Sequence, residues 1–234
     1  MLVVTIAAVL FVAATLALGV WQTHRAEQRE AAFETAQQAN RSSVIELGEA
    51  GFDASQAIGR RVAASGELAA GATVYLDNRQ RDGQTGFEVL TPVRLADGRA
   101  VMINRGFMPV RPEGLEVIVA PPVPSAPVRL EGIAVARLPR ALELGHAAHA
   151  LGGIWSNFVP EEFEKLSGLA LLPLVVEQTS DSGDGLIRRW PEPGAGSQQN
   201  RSYALQWYSM AALAFAGWLW FILRFVLKRQ RSAS

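Results

Sequence analysis

Two long uncharged runs bracket the chain, and no other feature constrains it as much. Met1–Trp21 holds 21 residues without a charged side chain, and Tyr203–Leu223 holds another 21. At ~1.5 Å per residue, each helix would measure about 30 Å, the thickness of a bilayer's hydrocarbon core. A backbone in hydrocarbon must satisfy its own hydrogen bonds, so both runs are expected as transmembrane α-helices. A cleavable signal peptide is the rival reading of the first run. It fits poorly. No Lys or Arg precedes the apolar stretch, the stretch outruns a usual signal core, and Ala17-Leu18-Gly19 is only a rough cleavage site.

Arg224, Lys228, Arg229 and Arg231 crowd the tail that follows the second run. Cationic residues favour the cytoplasmic side, so the C-terminus is expected there and the N-terminus on the same face. Arg25, Arg29 and Arg201 flank the outer ends of the runs, but a long domain translocates largely regardless of its charge. The expected organisation is a first span at 1–23, an external β-rich domain with a helical N-terminal extension at 24–200, a second span at 201–226 and a cytoplasmic tail at 227–234. In a bacterium this is an inner-membrane protein with its main domain in the periplasm and both termini in the cytoplasm.

The segment after Trp21 stays rich in helix formers until Asn40-Arg41-Ser42-Ser43, so the first helix is expected to continue into water. From about Arg61, runs of Val, Leu, Ile, Phe and Tyr alternate with Gly, Asp, Asn and Pro. That punctuation predicts strands at 61–68, 73–79, 86–95, 99–108, 128–137 and 171–179. Ala96-Asp97-Gly98-Arg99 carries the Asp-Gly signature of a tight hairpin turn. Pro160–Gly168 predicts a short helix, with Pro at its start and Glu161 and Glu162 in its first turn. The fold class expected is two transmembrane α-helices flanking an extramembrane, mainly antiparallel β domain with a few helices (α+β).

Composition removes several function classes. The chain has no cysteine, which excludes disulfides, thiolate metal sites and cysteine nucleophiles. Lys and Arg total 22 against 22 Asp and Glu, so the basic excess of a nucleic-acid binder is missing. No Gly-x-Ser-x-Gly elbow, phosphate loop, dinucleotide fingerprint or His-Glu-x-x-His helix occurs, and a membrane-anchored enzyme is the weaker class. The histidines are His24, His146 and His149. His146 and His149 stand three apart, a spacing that on a helix could bind a transition metal, but no third histidine is near in sequence.

The polar residues at the membrane boundary are the most informative. Gln22 follows the first run, and Gln206 lies inside the second. Antiparallel helices would bring both outer ends to one depth, where an unpaired amide is costly. Asn200, Tyr203 and Trp207 fall on one helical face, and with Gln22 and His24 they could line a shared pocket. An ordinary aromatic belt with Trp21, Trp207 and Tyr208 is the bland alternative. Small residues four apart, Ala13/Ala17, Thr15/Gly19 and Ala212/Ala216, permit close helix packing.

Leu18–Arg29 (LGVWQTHRAEQR) resembles the Leu-Gly-x-Trp-Gln-x-x-Arg-x-x-x-Lys opening of the Surfeit locus protein 1 family. Leu76–Val110 resembles that family's central stretch, an Asn-Arg, then Gly-aromatic-x-Val-x-Thr-Pro, then Val-Asn-Arg-Gly-Trp-x-Pro. IWSNF, LLPLVVEQ and NRSYALQWYSMA resemble its later segments, and the resemblance runs in order along nearly the whole chain. It implies a non-enzymatic assembly factor of haem-copper cytochrome c oxidase in the inner membrane. The partners it implies are the oxidase's catalytic subunit, other assembly factors and membrane lipid. Bacterial members are associated with binding haem a for insertion, so haem a is the cofactor to look for.

Carried over residue by residue, Trp21, Gln22, Arg25, Asn104, Arg105, Gly106, Tyr203 and Trp207 match family positions. Arg29 stands in place of Lys, and Phe107 in place of Trp. Asn200 stands where many members carry His, the favoured haem ligand, and an amide is a poor iron ligand beside imidazole. His24, at the facing helix end, is the substitute ligand this implies. Arg25 and Arg105 could hold haem propionates through charge-assisted contacts, the alternative being ion pairs within the β domain or at the headgroups. A cofactor-free docking or scaffold protein of a respiratory complex is the alternative function.

Overall fold

A computed structural model describes residues 1–49, 52–110, 120–141, 149–191 and 194–231. The chain forms two compact units: Met1–Thr35 with Pro191–Ser234, and Ala36–Trp190.

The first unit is a pair of helices. Helix α1 spans Leu2–Arg41 without a break, so the polar extension is one body with the apolar run. It ends where Asn, Arg and two Ser interrupt the helix formers. Helix α3 spans Ser197–Arg231. Both are long and apolar enough to cross a membrane. They run antiparallel. Thr5 meets Trp218 (3.3 Å), Thr23 meets Tyr208 (3.2 Å), and the Arg201 guanidinium donates to Glu30 (2.5 Å). Thr15, Gly19 and Ala26 are buried on α1, and Ala204 and Ala211 on α3. A Cβ on Gly19 would sit 2.6 Å from the Tyr208 ring, so the Thr15/Gly19 pair is the one that admits the neighbouring helix. Ala13, Ala17, Ala212 and Ala216 are exposed instead.

The second unit is one mixed sheet with a short helix. Its strands are β1 (Ile45–Glu46), β2 (Arg61–Leu68), β3 (Val74–Arg81), β4 (Gln84–Leu95), β5 (Ala100–Pro109), β6 (Val128–Val135), β7 (Ile154–Trp155) and β8 (Leu171–Gln178), and its helix is α2 (Pro160–Ser167). The spatial order is β1-β2-β6-β8-β5-β4-β3-β7, and β2 also pairs with β4. That last pairing closes β2, β6, β8, β5 and β4 into a five-stranded barrel. Closure depends on Gly66, since a Cβ there would lie 1.8 Å from the Arg94 carbonyl oxygen. Most pairings are antiparallel, as the sequence suggests, but β5–β8, β1–β2 and β3–β7 are parallel.

Both faces of the central strands are covered, which is why β4 and β5 read as nearly continuous apolar runs. Val101 and Ile103 of β5 join Val62, Val93 and Val176 in the barrel interior. Ala100 and Met102, on the opposite face of the same strand, pack with Leu76, Leu90, Trp155 and Phe163 of α2. The β4–β5 turn uses Gly98 at φ +85°, and the Asp97 carboxylate accepts from the Arg99 amide.

Candidate functional site

The two helices of the first unit enclose an open cleft of about 500 Å³. It is lined by Trp21, Gln22, His24, Arg25, Gln28 and Arg29 of α1 and by Gln199, Asn200 and Tyr203 of α3. The helix phase explains the α1 set: residues 21, 22, 25, 28 and 29 recur every three or four positions and share one face. The chain entering α3 lies hard against α1. A Cβ on Gly194 would meet the Arg29 carbonyl oxygen at 2.3 Å, and φ there is +85°. That close approach sets Asn200 opposite Gln22 and Arg29.

Asn200 ties the two helices together. Its Oδ1 accepts from Arg29 Nη1 (2.7 Å), and its Nδ2 donates to Gln22 Oε1 (2.9 Å). The side chain is therefore used at both ends, and Gln22 has found its amide partner. Gln206 is exposed and has no such partner among the described residues. Arg25 reaches only Gln28 Oε1, at 3.5 Å, and has no carboxylate partner among the described residues. The His24 ring is largely exposed, with Nδ1 3.4 Å from Glu27. Trp21 and Tyr203 are exposed as well. The lining thus offers two guanidiniums, an imidazole and two aromatic side chains, with no carboxylate among its described residues. Such a donor set suits a flat amphiphile that carries carboxylates.

A family model, the SURF1 family, matches residues 9–212, from within α1 to within α3. The chain belongs to the SURF1 family. Its members are assembly factors of cytochrome c oxidase and not a known enzyme family. A SURF1-like protein of Monosiga brevicollis is 27% identical over 238 residues, covering 88% of this chain and 82% of the relative. A SURF1-like protein of Dictyostelium discoideum is 29% identical over 105 residues, 41% of this chain and 39% of that protein.

Of the residues expected at the site, Gln22, His24, Arg25, Asn200 and Tyr203 share the cleft. Trp207 is half-buried on α3 and does not line it. Arg105 belongs to the β unit, 1% exposed, and gives Nη2 to Asp184 (2.9 Å) and to the Pro122 carbonyl (2.7 Å). This is the ion pair within the β domain that stood as the alternative to a propionate contact. Arg188 Nη2 donates to both oxygens of the same carboxylate, Oδ1 at 2.7 Å and Oδ2 at 2.6 Å. Burial alone would raise the Asp184 carboxyl, but hydrogen bonds from Arg188 and the Leu186 amide, with the charges of Arg188 and Arg105, keep it below the usual carboxylate range.

The other SURF1 motif residues of the sheet are structural too. Asn104 is fully buried and donates to Glu88 Oε2 (3.1 Å). Glu88 also takes ion pairs from Arg79 (3.7 Å) and Arg81. Glu177 of β8 stands beside Asn104 in register. Glu177, Asn104, Glu88 and the two arginines Arg79 and Arg81 thus form a polar row across β8, β5, β4 and β3. Burial and the nearby Glu88 charge push the Glu177 carboxyl from 4.5 up to about 7. Sequence reasoning missed Glu88, Glu177 and Asp184. For Glu88 and Glu177 the signal available was a charge within an apolar strand; Asp184 lies in the segment after β8 and gave none.

His146 lies outside the described residues. His149 stacks on Trp155 with centroids 4.2 Å apart, and its Nδ1 lies 2.9 Å from Glu162. No group of three or more metal-ligating side chains gathers among the described residues.

Proposed function

We propose that this chain is an inner-membrane factor that assists maturation of the catalytic subunit of cytochrome c oxidase. Its β-rich unit stands in the periplasm, and both termini lie in the cytoplasm. Membership of the SURF1 family is the observation that carries the oxidase-assembly reading. The cationic tail after α3 supports the orientation through the positive-inside rule.

The finer part of the proposal is that the α1–α3 cleft handles haem a. The donor set fits the group: His24 supplies an imidazole for iron, and Arg25 supplies a guanidinium for a propionate. Trp21 and Tyr203 offer aromatic surface beside them. Haem a, when held, would contribute the iron and macrocycle that the oxidase requires. The chain's own part is to bind, orient and release it. Asn200 brings no ligand, because its amide oxygen is held by Arg29 and its nitrogen is spent on Gln22. That same substitution favours the second reading, a cofactor-free docking protein.

Purification of the full chain in detergent from a host that makes haem a separates the two. A Soret band that is lost in His24→Ala supports haem handling. A colourless wild-type preparation supports docking alone.

A further inference from the structure

Strand β8 runs from Leu171, but β6 pairs with it only from Val175 to Gln178. On that side residues 171–174 have no strand neighbour among the described residues, because the chain beyond β6 peels away through residues 136–140. Asn157 holds the departing chain in place, accepting from the Ala141 amide (2.8 Å) and donating to its carbonyl (3.1 Å). Between the two lies a groove of about 440 Å³, floored by residues 171–175 and walled by Phe158, Val159 and Pro160. Arg137 and Arg140 stand exposed along one rim, with no ion-pair or hydrogen-bond partner among the described residues. Glu161 is the acidic residue of the lining.

The edge itself refuses a regular added strand. β8 spends four residues, Leu171 to Val175, where β5 advances two, Ala100 to Met102. Pro173 sits exposed inside that irregularity and has no N–H to give. A second copy pairing edge to edge would find no continuous ladder. What the groove offers is apolar surface beside two arginines whose Cα atoms lie no more than about 10 Å apart.

We propose that this groove docks a short acidic segment of a partner polypeptide, an apolar side chain entering between β8 and Phe158 while flanking carboxylates pair with Arg137 and Arg140. The inference does not rest on haem handling or on the oxidase. Bidentate arginine contacts supply orientation, and the buried anchor supplies most of the affinity.

The test uses the full chain in detergent and a fluorescein-labelled peptide, Gly-Asp-Leu-Ala-Glu-Gly, followed by anisotropy. Controls replace both acids by Lys, or the Leu by Ser. Saturable binding is expected, weakened at least tenfold by either control and by the double variant R137E/R140E. The variant residues are exposed, and an unchanged thermal midpoint for it verifies the fold. No saturable binding up to millimolar peptide overturns the proposal, and so does equal binding of the Lys peptide or by the double variant. A dimer in light scattering that the double variant dissolves would assign the groove to a second copy and overturn it as well.

Discussion

Glu177→Gln should stabilise the β unit at alkaline pH and far less at acid pH. The Glu177 carboxyl titrates at about 7 in the folded chain against 4.5 when unperturbed. Between those values the folded state binds more protons than the unfolded one, so stability falls as pH rises through the window. Every pH unit that separates the two titration points is worth ~1.4 kcal/mol, which sets a ceiling of about 3 kcal/mol above pH 8. Glu177 is only half-buried, and solvent screening brings the expected cost down to about 2 kcal/mol. Gln keeps the shape and removes the charge. Asp184, whose carboxyl is held low, loses stability only at the acid end and leaves this window clear. The assay is denaturant unfolding of the full chain, wild type against variant, at pH 5 and pH 8.5. The variant should gain about 2 kcal/mol at pH 8.5 and only about 0.5 kcal/mol at pH 5. Equal gains at both pH values would refute the reasoning, because the effect would then not come from ionisation.

Arg105→Ala should cost about 2–3 kcal/mol in the same assay, since it removes one of the two guanidiniums on the buried Asp184 carboxylate and leaves Arg188 to hold it. The double change with Asp184→Ala should cost less than the sum of the single changes, and strict additivity would contradict the pairing. Gly66→Ala forces a Cβ against the Arg94 carbonyl and should destabilise the unit by ~3 kcal/mol or more, read as a lowered thermal midpoint. A midpoint unchanged by that variant would argue that the barrel is not closed at β2–β4. Asn200→Ala should weaken the α1–α3 pairing by about 1–2 kcal/mol, read as faster cross-protein exchange of spin labels or earlier helix separation in denaturing detergent. No change would mean that the two amide contacts contribute nothing in a bilayer mimic.

Local chemistry was legible in the sequence, and long-range pairing was not. Arg61–Leu68 reads as a strand and folds as one with those bounds. Asp97-Gly98 announces its turn because only a glycine accepts the positive φ there without strain. Pro160 with two acids opens a helix because these residues suit an N-terminus. The cleft was half legible: helical spacing groups Asn200 with Tyr203 on α3, and Gln22 and His24 face them, but the same spacing adds Trp207, which does not line the cleft. The clasp of Asn200 by Arg29 joins residues 171 positions apart and depends on the close approach at Gly194. Barrel closure at Gly66 and the parallel β5–β8 pairing lie equally beyond local pattern. For Arg105 the motif left a propionate contact and an ion pair both open, because its partner Asp184 lies 79 positions away.

The central claim, that this SURF1-family chain serves oxidase maturation, is tested most directly in the organism that encodes it. The chain is deleted, and the oxidase catalytic subunit is purified and assayed for haem a content and turnover. Both should fall several-fold in the deletion strain and return when the full chain is supplied. An oxidase with normal haem content and turnover, in a strain free of any other SURF1 member, would contradict the account.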